Sequence, residues 1–513
     1  MAILLAVLLV GAAVAIGQEA PAKGAAKGPK ASPSALPLVL NEGPHLFLDE
    51  HLIAHTIGVE RRVVSPRRFL PGPVVTSALE HQNWQPWLTV LLDPGSKKFR
   101  MWYTADVFDD PADGAYASKL AYLESADGIR WPGPYTRPEG ADPVLFGASV
   151  LDEGPRHPRP AERYKIVYFG VDHKSKVAGG PRVAFSPDGL RWAKQNGGEP
   201  VLNTGNPNDS WHVVYDPVRQ RYVLVFKIYG RYAWTNAERK KISADIRRYA
   251  VSFSKDMLAW TEPKMIFSPD AGDPGVTEWY GVTGFQVRGD LIVGFLQVLR
   301  DDLTAEGAPQ KALAANAEFG KAGAGIGYTV LAWTRDGETW HRDRHTDKFL
   351  DVDAKVGAWD HAVAWVSSTV PVGDELYVYY AGYRWGHKYL RSVDRQVGLV
   401  KMPRDRFVAR HAGAVGGTLR TPPFTFKGTL KGRHLTLNAD AAKGEVRVQI
   451  VDAAGKAIPG FTFADCRPVS TDALAAPVQW SKALTDLGGR PVRLEFALKN
   501  ASLFAFEVKS GLP

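Results

Sequence analysis

A short motif that returns four times along the chain constrains the fold more than any other feature. It reads Ser125-x-Asp127-Gly128-x-x-Trp131, Ser186-x-Asp188-Gly189-x-x-Trp192, Ser254-x-Asp256-x-x-x-Trp260 and Thr334-x-Asp336-Gly337-x-x-Trp340. The copies follow one another at steps of roughly 60–80 residues, a period that belongs to repeated supersecondary units. Asp-Gly supplies the backbone conformation of a tight hairpin turn, and the tryptophan opens the following strand. The third copy carries Met257 at the glycine position, so its turn is expected to differ.

Two apolar or alternating runs precede each turn. They start at Trp87 and Phe99, at Val144 and Tyr164, at Trp211 and Tyr222, and at Tyr280 and Leu291. A fifth pair starts at His361 and Leu376 and ends on Val397-GLVKMPRDRF, without the turn motif. Five units of four short strands make an all-β chain, read as a five-bladed β-propeller over residues 41–415. Residues 45–64 are expected to supply the strand missing from the fifth blade. Fifteen Trp and fifty Gly fit aromatic strands punctuated by glycine turns. Beyond Gly416-Gly417 the motif stops and short alternating strands continue, so residues 416–513 read as a small β-sandwich.

The chain opens on Met1-AILLAVLLVGAAVAIG, an apolar run of signal-peptide length. Cleavage after Gly17 puts Ala15 and Gly17 at the two recognition positions, although no Lys or Arg precedes the run. The run is short for a stable membrane span. Residues 18–40 form a low-complexity spacer rich in Ala, Pro and Lys, and a secreted or periplasmic protein is expected. The single cysteine, Cys466, excludes an internal disulfide and a cysteine metal cluster. The net charge of +9 is scattered rather than gathered into a stripe, which argues against nucleic acid as a partner and leaves room for an anionic glycan.

The five units, their Asp-Gly-Trp turns and the trailing sandwich resemble the five-bladed glycosidases of families 32 and 43. They are closer still to uncharacterised family-32-like bacterial propellers, which share segments such as Leu46-FLDEHLI and Leu435-TLNADAAKGEVRVQIVDAAGKAIPGF. The resemblance spans about residues 45–510 and implies a carbohydrate-active protein. Family 32 enzymes carry Asn-Asp-Pro, Arg-Asp-Pro and Glu-Cys in blades one to three. Here the matching places read Asn83-Trp84-Gln85-Pro86, Leu151-Asp152-Glu153 and Asn208-Asp209-Ser210, so that family's nucleophile and acid do not carry over.

The residues themselves offer an alternative set. An acid stands near the entry of each innermost strand: Glu80, Asp152, Asp209, Glu278 and Asp360. Rings accompany them, as His81 and Trp84, Trp211 and His212, Tyr280 beside Trp279, and Trp359 with His361. Glycoside hydrolysis uses two carboxyl groups, and sugar C–H faces stack on aromatic rings. Glu278 is therefore read as the acid, with Asp209 and Asp360 as base or charge modulator. Glu80, His81, Trp84, Asp152, Trp211, His212, Tyr280, Trp359, His361 and Arg248 are read as substrate contacts. The competing reading has each acid capping a turn and each ring packing between blades. No zinc spacing is present and no cofactor is expected, although channel carboxylates are compatible with a structural calcium. The leading function is an exported glycoside hydrolase acting on an oligo- or polysaccharide, and the alternative is a non-catalytic glycan-binding propeller. Convergence of the five acids on one open pocket separates both from a purely structural channel.

Overall fold

The computed structural model describes residues 36–76, 87–106, 118–141, 144–170, 180–204, 210–235, 241–318, 320–389 and 394–510. Its secondary structure is almost entirely β. One α-helix, α1 (Gln310–Ala317), lies in the Ala/Gly/Lys-rich stretch between residues 301 and 325. Among the described residues no helix is long and apolar enough to cross a membrane.

The repeated motif builds one turn four times. In the first copy the Gly128 N–H donates to Ser125 Oγ (2.9 Å), Asp127 Oδ1 accepts from the Ile129 and Arg130 N–H groups (2.8 Å each), and Trp131 Nε1 returns to the Gly128 carbonyl (3.2 Å). The third copy makes the same bonds, Met257 N to Ser254 Oγ (2.9 Å) and Trp260 Nε1 to the Met257 carbonyl (2.8 Å). Its turn does not differ, because Met257 takes the left-handed conformation (φ 67°) that Gly128, Gly189 and Gly337 take in theirs (φ 72°, 77° and 78°). The Met257 side chain is fully buried, and packing holds a non-glycine residue where glycine is the unstrained choice.

Antiparallel units of three to five strands follow one another along the chain, the last two joined in one nine-stranded sheet. Their innermost strands are β1 (Thr89–Leu92), β2 (Leu145–Asp152), β3 (Trp211–Asp216), β4 (Glu278–Arg288) and β5 (Val363–Val372). Hydroxyl side chains tie neighbours together: Thr89 Oγ1 donates to the Ala148 carbonyl (3.1 Å), and Ser149 Oγ accepts from Val213 N (3.1 Å). Thr283 Oγ1 donates to the Val366 carbonyl (2.5 Å), and Ser368 Oγ accepts from Val90 N (2.9 Å), which joins the last innermost strand to the first. A channel of about 120 Å³ runs between these strands, lined from all five. The molecule is a β-propeller with an appended sandwich.

The blade-closing strand is not the expected segment. Arg67–Arg68 pairs with Lys401 and Val400 of the fifth unit. The segments before it belong to the sandwich: Leu38–Leu40 pairs with Phe424–Phe426, His45–Leu46 with Phe506 and Ala505, His55–Ile57 with Gly417–Arg420, and Glu60–Val63 with Val408–Ala412. Two six-stranded sheets result. Leu40, Phe47 and Leu52 sit in the same apolar core as Leu437, Phe496 and Phe506. The alternation of residues 45–64 suits any sheet edge, and long-range packing chose the sandwich.

Candidate functional site

One end of the channel is where β1, β3, β4 and β5 begin. Glu278 is the first residue of β4 and shares the Arg247 guanidinium with the Tyr280 ring, whereas Trp279 turns into the core between blades. Glu278 accepts from Arg247 through Oε2, while Lys321 Nζ lies 3.7 Å from Oε1. The same ammonium is 3.2 Å from Asp301, so one lysine joins two carboxylates. Asp301 is buried, accepts from Asn316 Nδ2 of α1 (3.1 Å) and lies 3.7 Å from His387 Nδ1. Although Trp279 and Tyr280 follow it in the sequence, the oxygens of Glu278 face cations. Trp279 packs in the core between blades, with the Arg342 guanidinium 4.4 Å from its ring.

Behind these charges stands a wall of rings. Tyr280 stacks on Trp365 (4.3 Å, 13°), meets the His387 edge (4.8 Å) and lies 5.4 Å from Trp87. Arg247 lies over the Tyr280 ring at 5.4 Å, and Lys227 Nζ is 4.7 Å from Tyr280 and 5.1 Å from Trp87. Trp87 Nε1 donates to Gln297 (3.0 Å), whose amide donates to the Val366 carbonyl (2.7 Å). His212 is 5.9 Å from Trp87. The rings of Trp87, Tyr280 and Trp365 are buried and form a rigid floor, with the charged groups above them.

One carboxyl beside this cluster is perturbed. Burial pushes Asp394 up from 3.8 to about 6, against the opposing hydrogen bond from Arg384 N (2.9 Å). Its neighbour in the chain, Arg395, lies over Tyr383 (4.9 Å) and donates to the His387 carbonyl (3.0 Å).

The other expected contacts disperse. Asp152 is the last residue of β2, at the far end of the channel, and Arg163 holds it with two 2.7 Å bonds. Asp360 is buried, accepts from Arg68 (3.1 and 3.2 Å) and Tyr380 (2.8 Å), and anchors the closing strand. Trp211 is core, stacked on Phe226 at 5.0 Å. Trp359 fills the space above Gly382 and Gly398, where an added Cβ would come within 2.1 and 2.5 Å of its ring. His361 Nδ1 is 2.7 Å from the Asp353 carbonyl. Arg248 follows Arg247 on its strand, and alternation points it to the opposite face. Glu80, His81, Trp84 and Asp209 lie outside the described residues. The three described acids of the expected ring therefore do not converge, because blade periodicity does not mark which end of a strand an acid occupies.

Sequence reasoning missed Lys227, Gln297, Asp301, Lys321, Trp365, His387 and Asp394. Two carried a signal: Lys227 and Gln297 each interrupt an apolar strand run, Tyr222-VLVF and Leu291-IVGFL. A polar group inside such a run asks for a partner. Among the described residues no three His, Cys, Asp or Glu side chains gather as a metal site.

No family model matches the chain, and no curated protein matches it. Solved structures that it is similar to include a "Glycoside hydrolase" at 15% identity, covering 70% of this chain and 95% of the other, with TM-score 0.43. A second, from a study of the GH130 family of mannoside phosphorylases and glycoside hydrolases that target β-1,2 mannosidic linkages in Candida mannan, is 14% identical, covers 67% and 95%, and has TM-score 0.43. A third is a family 43 arabinoxylan arabinofuranohydrolase from Bacillus subtilis in complex with cellotetraose, at 13% identity, 86% and 99% coverage and TM-score 0.36.

Proposed function

We propose that this protein is a carbohydrate-active propeller that hydrolyses a glycosidic bond at the mouth where β4 begins. The observation that carries the proposal is the placement of Glu278, a carboxylate at the entry of an innermost strand, held by Arg247 and by a lysine shared with Asp301. A carboxylate so paired is an acceptor with a fixed orientation, suited to serve as base or nucleophile. Asp394, whose carboxyl burial pushes up to about 6 next to Arg395, is the candidate proton donor. Two carboxyl groups in opposite protonation states are the requirement of glycoside hydrolysis. Asp209 remains a candidate second carboxylate on its sequence position. Asp360 is left out because Arg68 and Tyr380 occupy it. The apolar run of residues 1–17 supports a secreted or periplasmic location.

A second reading, a glycan-binding propeller without turnover, is favoured by the engagement of both Glu278 oxygens by cations. Incubation with a panel of polysaccharides, followed by product analysis, separates the two. The hydrolase reading expects new reducing ends, and Glu278→Gln should lower turnover by about 10²–10⁴-fold while binding and thermal stability survive. Retention of a glycan without products from the wild type supports the binding reading instead.

A further inference from the structure

At the opposite end of the propeller a groove of about 430 Å³ follows the seam with the sandwich. The ends of β4 and β5 supply Arg288 and Pro371 to its lining, propeller turns supply Asp374 and Arg404, and sandwich strands supply Asn438 and Lys509. Arg404 is clamped there through its backbone. Its N–H donates to the Asp374 carbonyl (3.0 Å), and its carbonyl accepts from Asn438 Nδ2 (2.9 Å). The other cations of the groove are neutralised, Arg288 by Asp405 at 2.5 Å and Lys509 by Glu507 at 3.3 Å. The guanidinium of Arg404 makes no ion pair among the described residues, and its Nε is buried without an acceptor. Asp374 is exposed and forms no ion pair with it.

We propose that this seam is a binding site for the acidic group of a saccharide, a uronate carboxylate or a sulfate ester, gripped by Arg404. A guanidinium presents a planar fork that fits such oxyanions with two parallel bonds. The groove has the volume of a small-ligand site. Pro371, Pro44 and Leu474 give it apolar walls against which sugar C–H faces rest. Because both domains line it, the sandwich would hold an acidic chain on the propeller. The saccharide class rests on the proposed function; the oxyanion contact does not.

Affinity electrophoresis of the full chain through polygalacturonate, dextran sulfate or neutral dextran tests the site. The wild type should be retarded by one or both acidic polymers and pass freely through dextran. Arg404→Ala should weaken that binding about tenfold, the worth of one charge-assisted bond, and Arg404→Lys should fall between. Arg191→Ala removes an equal charge from the exposed surface of another blade, where the side chain is 75% accessible, and should change nothing. The proposal is overturned if neither acidic polymer retards the wild type, if Arg404→Ala binds as the wild type does, or if Arg191→Ala loses as much. Glu278→Gln, at the other end of the molecule, should keep the Arg404-dependent retention. Retention without turnover therefore sinks only the hydrolase reading, and turnover with unchanged Arg404→Ala binding sinks only this one.

Discussion

A carboxyl whose proton is held by its surroundings leaves a mark on stability as well as on chemistry. In Asp394 the folded-state pKa of about 6 lies above the ordinary 3.8, so the folded chain binds this proton more tightly than the unfolded chain. The resulting stabilisation is complete below about pH 4 and is lost as pH rises through 6. Asp394→Asn keeps an oxygen to accept from Arg384 N and removes the charge. It should therefore be more stable than the wild type at pH 8, on the order of 2 kcal/mol, with the advantage vanishing towards pH 4. Thermal unfolding across that range checks the sign, and a constant difference would show that the carboxyl does not titrate in this window. If Asp394 is the donor, the stabilised variant should also be the inactive one, a trade that active sites commonly make.

Elements differ in how much of themselves they show in a linear chain. The four turns are legible because their hydrogen bonds close within six residues, from Ser125 to Trp131 for example. The entry of β4 is legible too, and with it Glu278. Its partners are not: Lys321 and Asp301 lie on a stretch that reads as a loop, and Arg247 comes from the neighbouring unit. Asp152 falls at the far end and Asp360 turns to the closing strand, because an acid at the right spacing reads alike whether it faces the mouth, the far end or a neighbouring blade. The closing strand is hidden by its length. Arg67–Arg68 is two residues long, too short for any pattern, and a side chain holds it, since Arg68 pairs with buried Asp360. Removing one partner of a buried pair leaves the other charge stranded. Arg68→Ala should destabilise the protein by about 2–3 kcal/mol, less than a fully buried pair because Arg68 is one-third exposed. Adding Asp360→Asn should recover part of the loss in urea unfolding. A single variant as stable as the wild type would mean that the backbone pairs alone close the ring.

At the scale of the whole molecule, the chain leaves the sandwich, winds the propeller and returns. Residues 38–63 lie before the first blade yet pair with strands between 408 and 510. The expected boundary at residue 416 suggests that the sandwich could be cut away, and the pairing predicts otherwise. Deleting 416–513 removes the partners of Leu38–Leu40, His45–Leu46 and His55–Ile57 and exposes Phe47 and Leu52, both buried in the sandwich core. It also strips Arg410 and Glu60–Val63 of the sheet that covers them. Unpaired strand edges with apolar faces aggregate. That truncation should be recovered mainly as insoluble protein, whereas a fragment spanning residues 36–513 keeps every one of these strand pairs and should stay soluble and folded. Sedimentation of the two fragments with circular dichroism of the soluble fraction decides it. A soluble, well-folded chain ending at 415 would show that the N-terminal segment can be covered by the propeller alone, and that the two domains are less interlocked than their strand pairing implies.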